Sequence, residues 1–96
     1  MQIRVSDTGS LISFLSEPYV SFGTRGYTPV VDVQNVHTRE KGFLVITAIS
    51  LGEALHSHAL RNGGRLLGLT LLVRKSSRDR MAPYVVVDPE SMELDD

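Results

Sequence analysis

The positive charges of this chain fall in clusters. Arg74, Lys75, Arg78 and Arg80 place four cations within seven residues, opposed there only by Asp79, and Tyr84 follows closely. Arg25 and Tyr27 flank Gly26, and Arg39 and Lys41 flank Glu40. Cations near flat side chains can track a phosphate backbone while bases stack on the rings, at about 1–3 kcal/mol per stacked base. The plain alternative is a set of solvated polar loops, and both readings stand for 74–80 and for Arg39 and Lys41. Among the six aromatics, Phe14 and Phe43 lie in apolar surroundings and read as core. Tyr19, Phe22, Tyr27 and Tyr84 suit either packing or a binding surface. Tyr27 and Tyr84 are favoured for binding because cations neighbour each.

Catalytic patterns are missing. The chain has no cysteine, so it has no disulfide scaffold, thiolate metal site or cysteine nucleophile. His56 and His58 are two apart in a helical stretch and point roughly 200° apart, unsuited to sharing a metal. Gly63-Gly64-Arg65 follows a helical stretch and reads as its cap rather than a phosphate cradle. Asp32 and Asp88 have nothing marking them as an acid–base couple. The expectation is a binding domain with no enzyme activity, cofactor or metal.

Ninety-six residues suit one compact domain. The apolar share of 42% and charged share of 22% are those of a globular chain. No apolar run approaches the roughly 18 residues of a membrane span, and the polar N-terminus is not a signal peptide. A cytoplasmic setting, the host's if the protein is viral, is the simpler expectation. The formal net charge of −1 conceals an asymmetry. Five acids and no base lie in residues 88–96, leaving the remainder at +4. A mildly basic body with an acidic tail is compatible with nucleic-acid or regulatory interactions; a solvated, frayed C-terminus is the alternative.

The elements that must position these residues follow from periodicity. Residues 1–9 read as a flexible arm. Ser10 to Leu15 suggests a short helical turn capped by Ser10 and stopped before Pro18. Tyr19–Phe22 is a short strand, and Gly23 to Gly26 a turn. Pro29–His37 alternates, with Val31 and Val33 on one face and Asp32 and Gln34 on the other. Phe43–Ile49 is apolar on both faces, as in a central strand. Ser50-Leu51-Gly52-Glu53 fits a capping box for a helix whose stripe is Leu51, Ala54, Leu55, His58 and Ala59. Asn62-Gly63-Gly64 ends it. Leu66–Arg74 is a further strand, 75–82 a basic loop and Pro83–Asp88 a last strand. The domain thus spans 10–88, with 89–96 as the acidic tail.

The result is mainly β, five strands with one helix between strands 3 and 4. That order resembles the oligonucleotide-binding (OB) barrel, a partly open five-stranded Greek key; β-grasp and other α+β folds remain open. The chain is similar to small OB-fold single-stranded DNA-binding proteins of phages, archaea and mobile elements. The resemblance covers residues 11–88. It rests on Phe14 to Phe22 leading into the first strand, on the hairpin before Ser50-Leu51-Gly52-Glu53-Ala54-Leu55, and on Leu67-Gly68-Leu69-Thr70-Leu71 followed by a basic loop and Pro83-Tyr84-Val85-Val86-Val87. It implies that the 74–80 loop is one of two that clamp the ligand. It also implies that the acidic tail recruits a protein partner, although the terminal Pro-Phe of the bacterial proteins is missing.

The expectation is therefore sequence-tolerant binding of single-stranded DNA, with RNA left open, through Arg25, Tyr27, Arg39, Lys41, Arg74, Lys75, Arg78, Arg80 and Tyr84, in a protein that forms homo-oligomers. The alternative is a protein–protein module or small assembly subunit with no nucleic acid. The modest body charge favours the alternative, as do strand edges at 19–22 and 83–88.

Overall fold

Ile12 and Phe14 alternate along one strand and are both sealed from solvent, which locates the centre of the sheet. They lie on β1 (Ser10–Phe14), in a computed structural model that describes residues 2–23, 26–79 and 81–89. Arg25, Arg80 and residues 90–96 of the acidic tail lie outside the described residues. The other elements are β2 (Tyr19–Gly23), β3 (Gly26–Asn35), β4 (Lys41–Val45), α1 (Ile49–Arg61), β5 (Thr70–Lys75) and β6 (Tyr84–Val87). Among the described residues the protein is mainly β, with the one helix α1 and an antiparallel sheet of six strands that does not close.

The six strands replace the five expected because Ser10–Leu15 is not a helical turn. The apolar residues at 11, 12, 14 and 15 suit a turn of helix, but tertiary pairing decides otherwise. β1 is held on both sides, by β3 at Phe14↔Val33 and by β5 at Ile12↔Leu71. Its backbone groups are better satisfied in that central position than in an isolated turn.

The long strand β3 organises the rest. Val30 pairs with both Tyr19 and Val45, and Val33 with both Phe14 and Gly42. So β4 follows one edge of β3, while β1 and β2 lie end to end along the other. Between Phe14↔Val33 and Tyr19↔Val30 the β1–β2 side holds two more residues than β3, a bulge over 15–18. Asp32 anchors it. The Leu15 amide donates to the Asp32 carbonyl (2.8 Å), Ser16 Oγ accepts the Asp32 amide (3.0 Å) and the Tyr19 hydroxyl donates to Asp32 Oδ1 (2.6 Å). Glu17 reaches across the chain and accepts the amides of Leu66 (2.9 Å) and Leu67 (3.0 Å). Two consecutive amides converging on one carboxylate make a small anion nest, here filled internally.

The helix packs Leu51, Leu55 and Ala59 onto Ile12, Phe14, Val31, Val33, Leu44, Leu71 and Val73. Thirteen residues are too few to be helical alone, so this burial sustains it. The expected capping box does not form. The N-cap is Ala48, with no side-chain hydrogen bond, and Ser50 Oγ instead accepts the Tyr84 amide at 3.0 Å. That exchange joins the first turn of α1 to the start of β6. The strand expected from Leu66 begins only at Thr70, because Gly68 turns the chain at φ +92° and leaves Leu67 exposed. The segment 2–9, read from the sequence as an arm, is tied to the sheet. Ile3 is buried and donates its amide to the Phe43 carbonyl (2.8 Å), while the Ser6 carbonyl accepts the Lys75 amide (3.0 Å).

Leu55→Ala should lower unfolding stability by about 2–5 kcal/mol, whereas Leu60→Ala, on the exposed side of the helix, should change it by less than roughly 0.5 kcal/mol. Urea denaturation of the two variants checks the assignment of faces; equal losses would contradict it.

Candidate nucleic-acid interface

Gln2, Ile3, Arg4 and Val5 alternate. Ile3 is buried, Val5 packs against the core, and Gln2 and Arg4 face solvent. This extended segment runs from the edge of β4 to the end of β5, so it carries Arg4 onto the surface between them. A hollow of about 370 Å³ lies there, lined by Gln2, Arg4, Val45, Thr47, Lys75 and Tyr84 among others. It continues at one end to Thr28 on β3, through Gln2, Arg4, Val45 and Thr47. At the other end it continues to Met81, Ala82 and Pro83, through Thr47, Lys75 and Tyr84. Together these hollows make one open groove with β4 in its floor, flanked by the β2–β3 hairpin and the β5–β6 loop.

Within the groove, Lys75 Nζ lies 5.5 Å from the centroid of the Tyr84 ring, a cation–π arrangement. Both residues are half-buried, so the charge and the ring are held in place rather than swinging in solvent. Their strands pair at Lys75↔Tyr84. The Tyr84 amide is fixed by Ser50, which sets the start of β6 against the helix.

The sequence candidates do not all meet here. Lys75 and Tyr84 share the groove. Arg74 is half-buried on β5, and its Nη1 donates to the Lys75 carbonyl at 3.3 Å. Arg74 also explains Gly9: the backbone there has φ +83°, and a Cβ would come within 3.2 Å of the Arg74 Cβ. Arg78 is almost fully exposed in the β5–β6 loop, with Nε 3.5 Å from Asp7 Oδ2. Such an exposed pair contributes little to stability and leaves the guanidinium accessible. Tyr27 is exposed near the tip of the β2–β3 hairpin, its ring centroid 5.0 Å from that of Phe22. Arg39, with φ +64°, and Lys41 are exposed at the opposite end of β3, some 25 Å away at the rise of an extended strand.

Arg4 is the groove residue that sequence reasoning missed. Its signal was the period-two pattern of Gln2 to Val5, hidden because the segment was read as an arm. Phe22, which by sequence suits either packing or a binding surface, is also exposed. It sits with Val20, Tyr27 and Pro29 on one exposed apolar face of the hairpin. A separate cleft of about 290 Å³, lined by Pro18, Pro29, Ile46, Leu55 and His56, adjoins the base of that hairpin. His58 Nε2 lies 3.2 Å from the Val86 carbonyl and serves the packing of α1 on β6. No group of three or more potential metal ligands comes together among the described residues. Among the described residues no helix is long and apolar enough to cross a membrane.

The Tyr19 hydroxyl is pushed above its ordinary pKa of 10.0, first by the hydrogen bond it donates to Asp32, then by desolvation and the carboxylate's charge. Because the folded value is raised, this contact stabilises fully below pH 10.0 and is lost as pH climbs through the raised value. Asp32→Asn should bring the Tyr19 titration downward, read by ring carbon chemical shifts over an alkaline series. An unchanged midpoint would contradict the assigned cause.

Comparison with protein-family models, with curated proteins and with solved structures returned no match to this chain, so its functional reading rests on the groove itself.

Proposed function

We propose that this chain is a binding module for single-stranded nucleic acid, held without strong sequence preference in the groove between the β2–β3 hairpin and the β5–β6 loop. The observation that carries the proposal is the meeting of Arg4, Lys75 and Tyr84, from three separate segments, in one open groove. Arg4 and Lys75 would hold phosphates, Tyr84 would offer a ring edge or face to a base, and Arg78 would reach in from the loop. Groove binding by cations and rings is tolerant of sequence, because every base has a π-face and every nucleotide a phosphate.

The order of strand pairing supports the same reading. If β1 and β2 are taken as one bulged strand, the sheet is a three-strand meander followed by a helix, with β5 returning antiparallel to β1 and β6 pairing β5. We read this as an oligonucleotide-binding barrel left open between β4 and β6. In that architecture the face of the second and third strands and the loops beside it bind the ligand. The groove's position beside β4 and between those two loops supports this reading.

A labelled oligo-dT should bind at micromolar protein in low salt, with affinity falling steeply as salt rises, because phosphate contacts release counterions. Arg4→Gln and Lys75→Gln should each weaken binding and lower the salt slope by about 1, while Arg39→Gln leaves both unchanged. Fluorescence anisotropy measures all three. No salt-sensitive binding by the unaltered protein would overturn the proposal, and equal effects from Arg39→Gln would move the site off the groove.

A further inference from the structure

We propose that the open edge of β2 is a self-association surface, on which a second copy of this chain pairs antiparallel to form one continuous sheet. The inference stands apart from the nucleic-acid reading and rests on backbone geometry.

β3 is the only substantial neighbour of β2 among the described elements. All five residues of β2 are exposed. The direction of its backbone groups follows from β3. The Pro29 carbonyl accepts the Ile46 amide, so the polar groups of Pro29 point away from β2. The Asp32 carbonyl and amide, in contrast, are taken up by Leu15 and Ser16 on the β1–β2 side. By alternation, Thr28 and Val30 turn their groups toward β2, where Ser21 and Tyr19 are their partners. Val20 and Phe22 therefore present their N–H and C=O groups outward, along the open edge.

That edge is complementary to itself. An antiparallel copy related by a two-fold axis at Ser21 sets Val20 opposite Phe22 of the second copy and Phe22 opposite its Val20. Both outward-facing residues then find partners in the same register, each pair exchanging N–H···O=C bonds in both directions. The side chains agree with this pairing. Val20 and Phe22 share a face, so each meets the other type across the new junction, a favourable β-branched–aromatic pair. Tyr27 and Pro29 lie on the same face beside them. The strand Tyr-Val-Ser-Phe-Gly carries no charge, so the two-fold places no like charges together. It also lacks the lysine, inward-pointing charge or proline with which exposed edges usually discourage pairing. Two-fold homodimers are the commonest soluble assembly and require such a self-complementary patch.

Analytical ultracentrifugation of the full chain over a dilution series should show a species of twice the 10.6 kDa chain mass, dissociating as the concentration falls. Val20→Pro should abolish it. That residue's amide faces outward, so the substitution removes a donor from the open edge while sparing the ladder to β3. Amide hydrogen exchange provides an independent readout if the variant is poorly folded. In the unaltered protein, protection at Val20 and Phe22 should be lost on dilution, while protection at Ser21, which bonds β3, persists. A single 10.6 kDa species at the highest soluble concentration overturns the proposal. So does a dimer that folded Val20→Pro leaves unchanged, or exchange at Val20 and Phe22 that is independent of concentration.

Discussion

The structure turns on the bulge between β1 and β2. Two extra residues in the 15–18 segment must be absorbed beside β3 without leaving backbone groups unpaired. Asp32 does this with its amide, carbonyl and carboxylate together, while Glu17 fastens the bulge to the turn at Leu66–Leu67. On one side of it, β1 lies in the middle of the sheet with Ile12 and Phe14 sealed in the core. On the other side, β2 leaves the core and carries the first half of β3 with it as a projecting hairpin. Because the insertion is of two residues, the alternation of inward and outward side chains is kept on both sides of it.

That projection creates two surfaces of different chemistry. The polar groove takes its cations from the N-terminal segment and from β5, and its ring from β6. The opposite face of the hairpin is apolar, with Val20, Phe22 and Tyr27 all largely exposed. The proposed nucleic-acid binding and the proposed self-association would therefore draw on different residues. Edge pairing at β2 would also leave the groove of each copy open and place two grooves on one extended sheet. A single strand spanning both would gain avidity from the second site without any new contact.

Much of the fold was legible in the sequence. The face shared by Val31 and Val33 is the buried one, and of the helical stripe Leu51, Ala54, Leu55, His58 and Ala59 the structure buries Leu51, Leu55 and Ala59 and half-buries the other two, because period 2 and period 3.6 respond directly to one-sided burial. β1 is ambiguous in the sequence because its apolar residues fit either period, and its partners are 19 to 63 positions away. Ser50 was assigned to a local cap because a capping box is a local pattern, whereas its actual partner, Tyr84, is 34 residues on. The site divides in the same way. Lys75 and Tyr84 were legible because a charge cluster and a ring flank one loop. Arg4 was not, since its place in the groove depends on the Ile3–Phe43 and Ser6–Lys75 hydrogen bonds.

The proposed seat of nucleic acid is the groove rather than the exposed hairpin face. Backbone amide chemical-shift mapping during titration with unlabelled oligo-dT tests it most directly. Shifts should concentrate at Arg4, Thr28, Val45, Thr47, Lys75 and Tyr84, with Val20, Phe22 and Arg39 little affected. Shifts centred on Phe22 and Tyr27 with the groove silent, or no shifts at all, would contradict it.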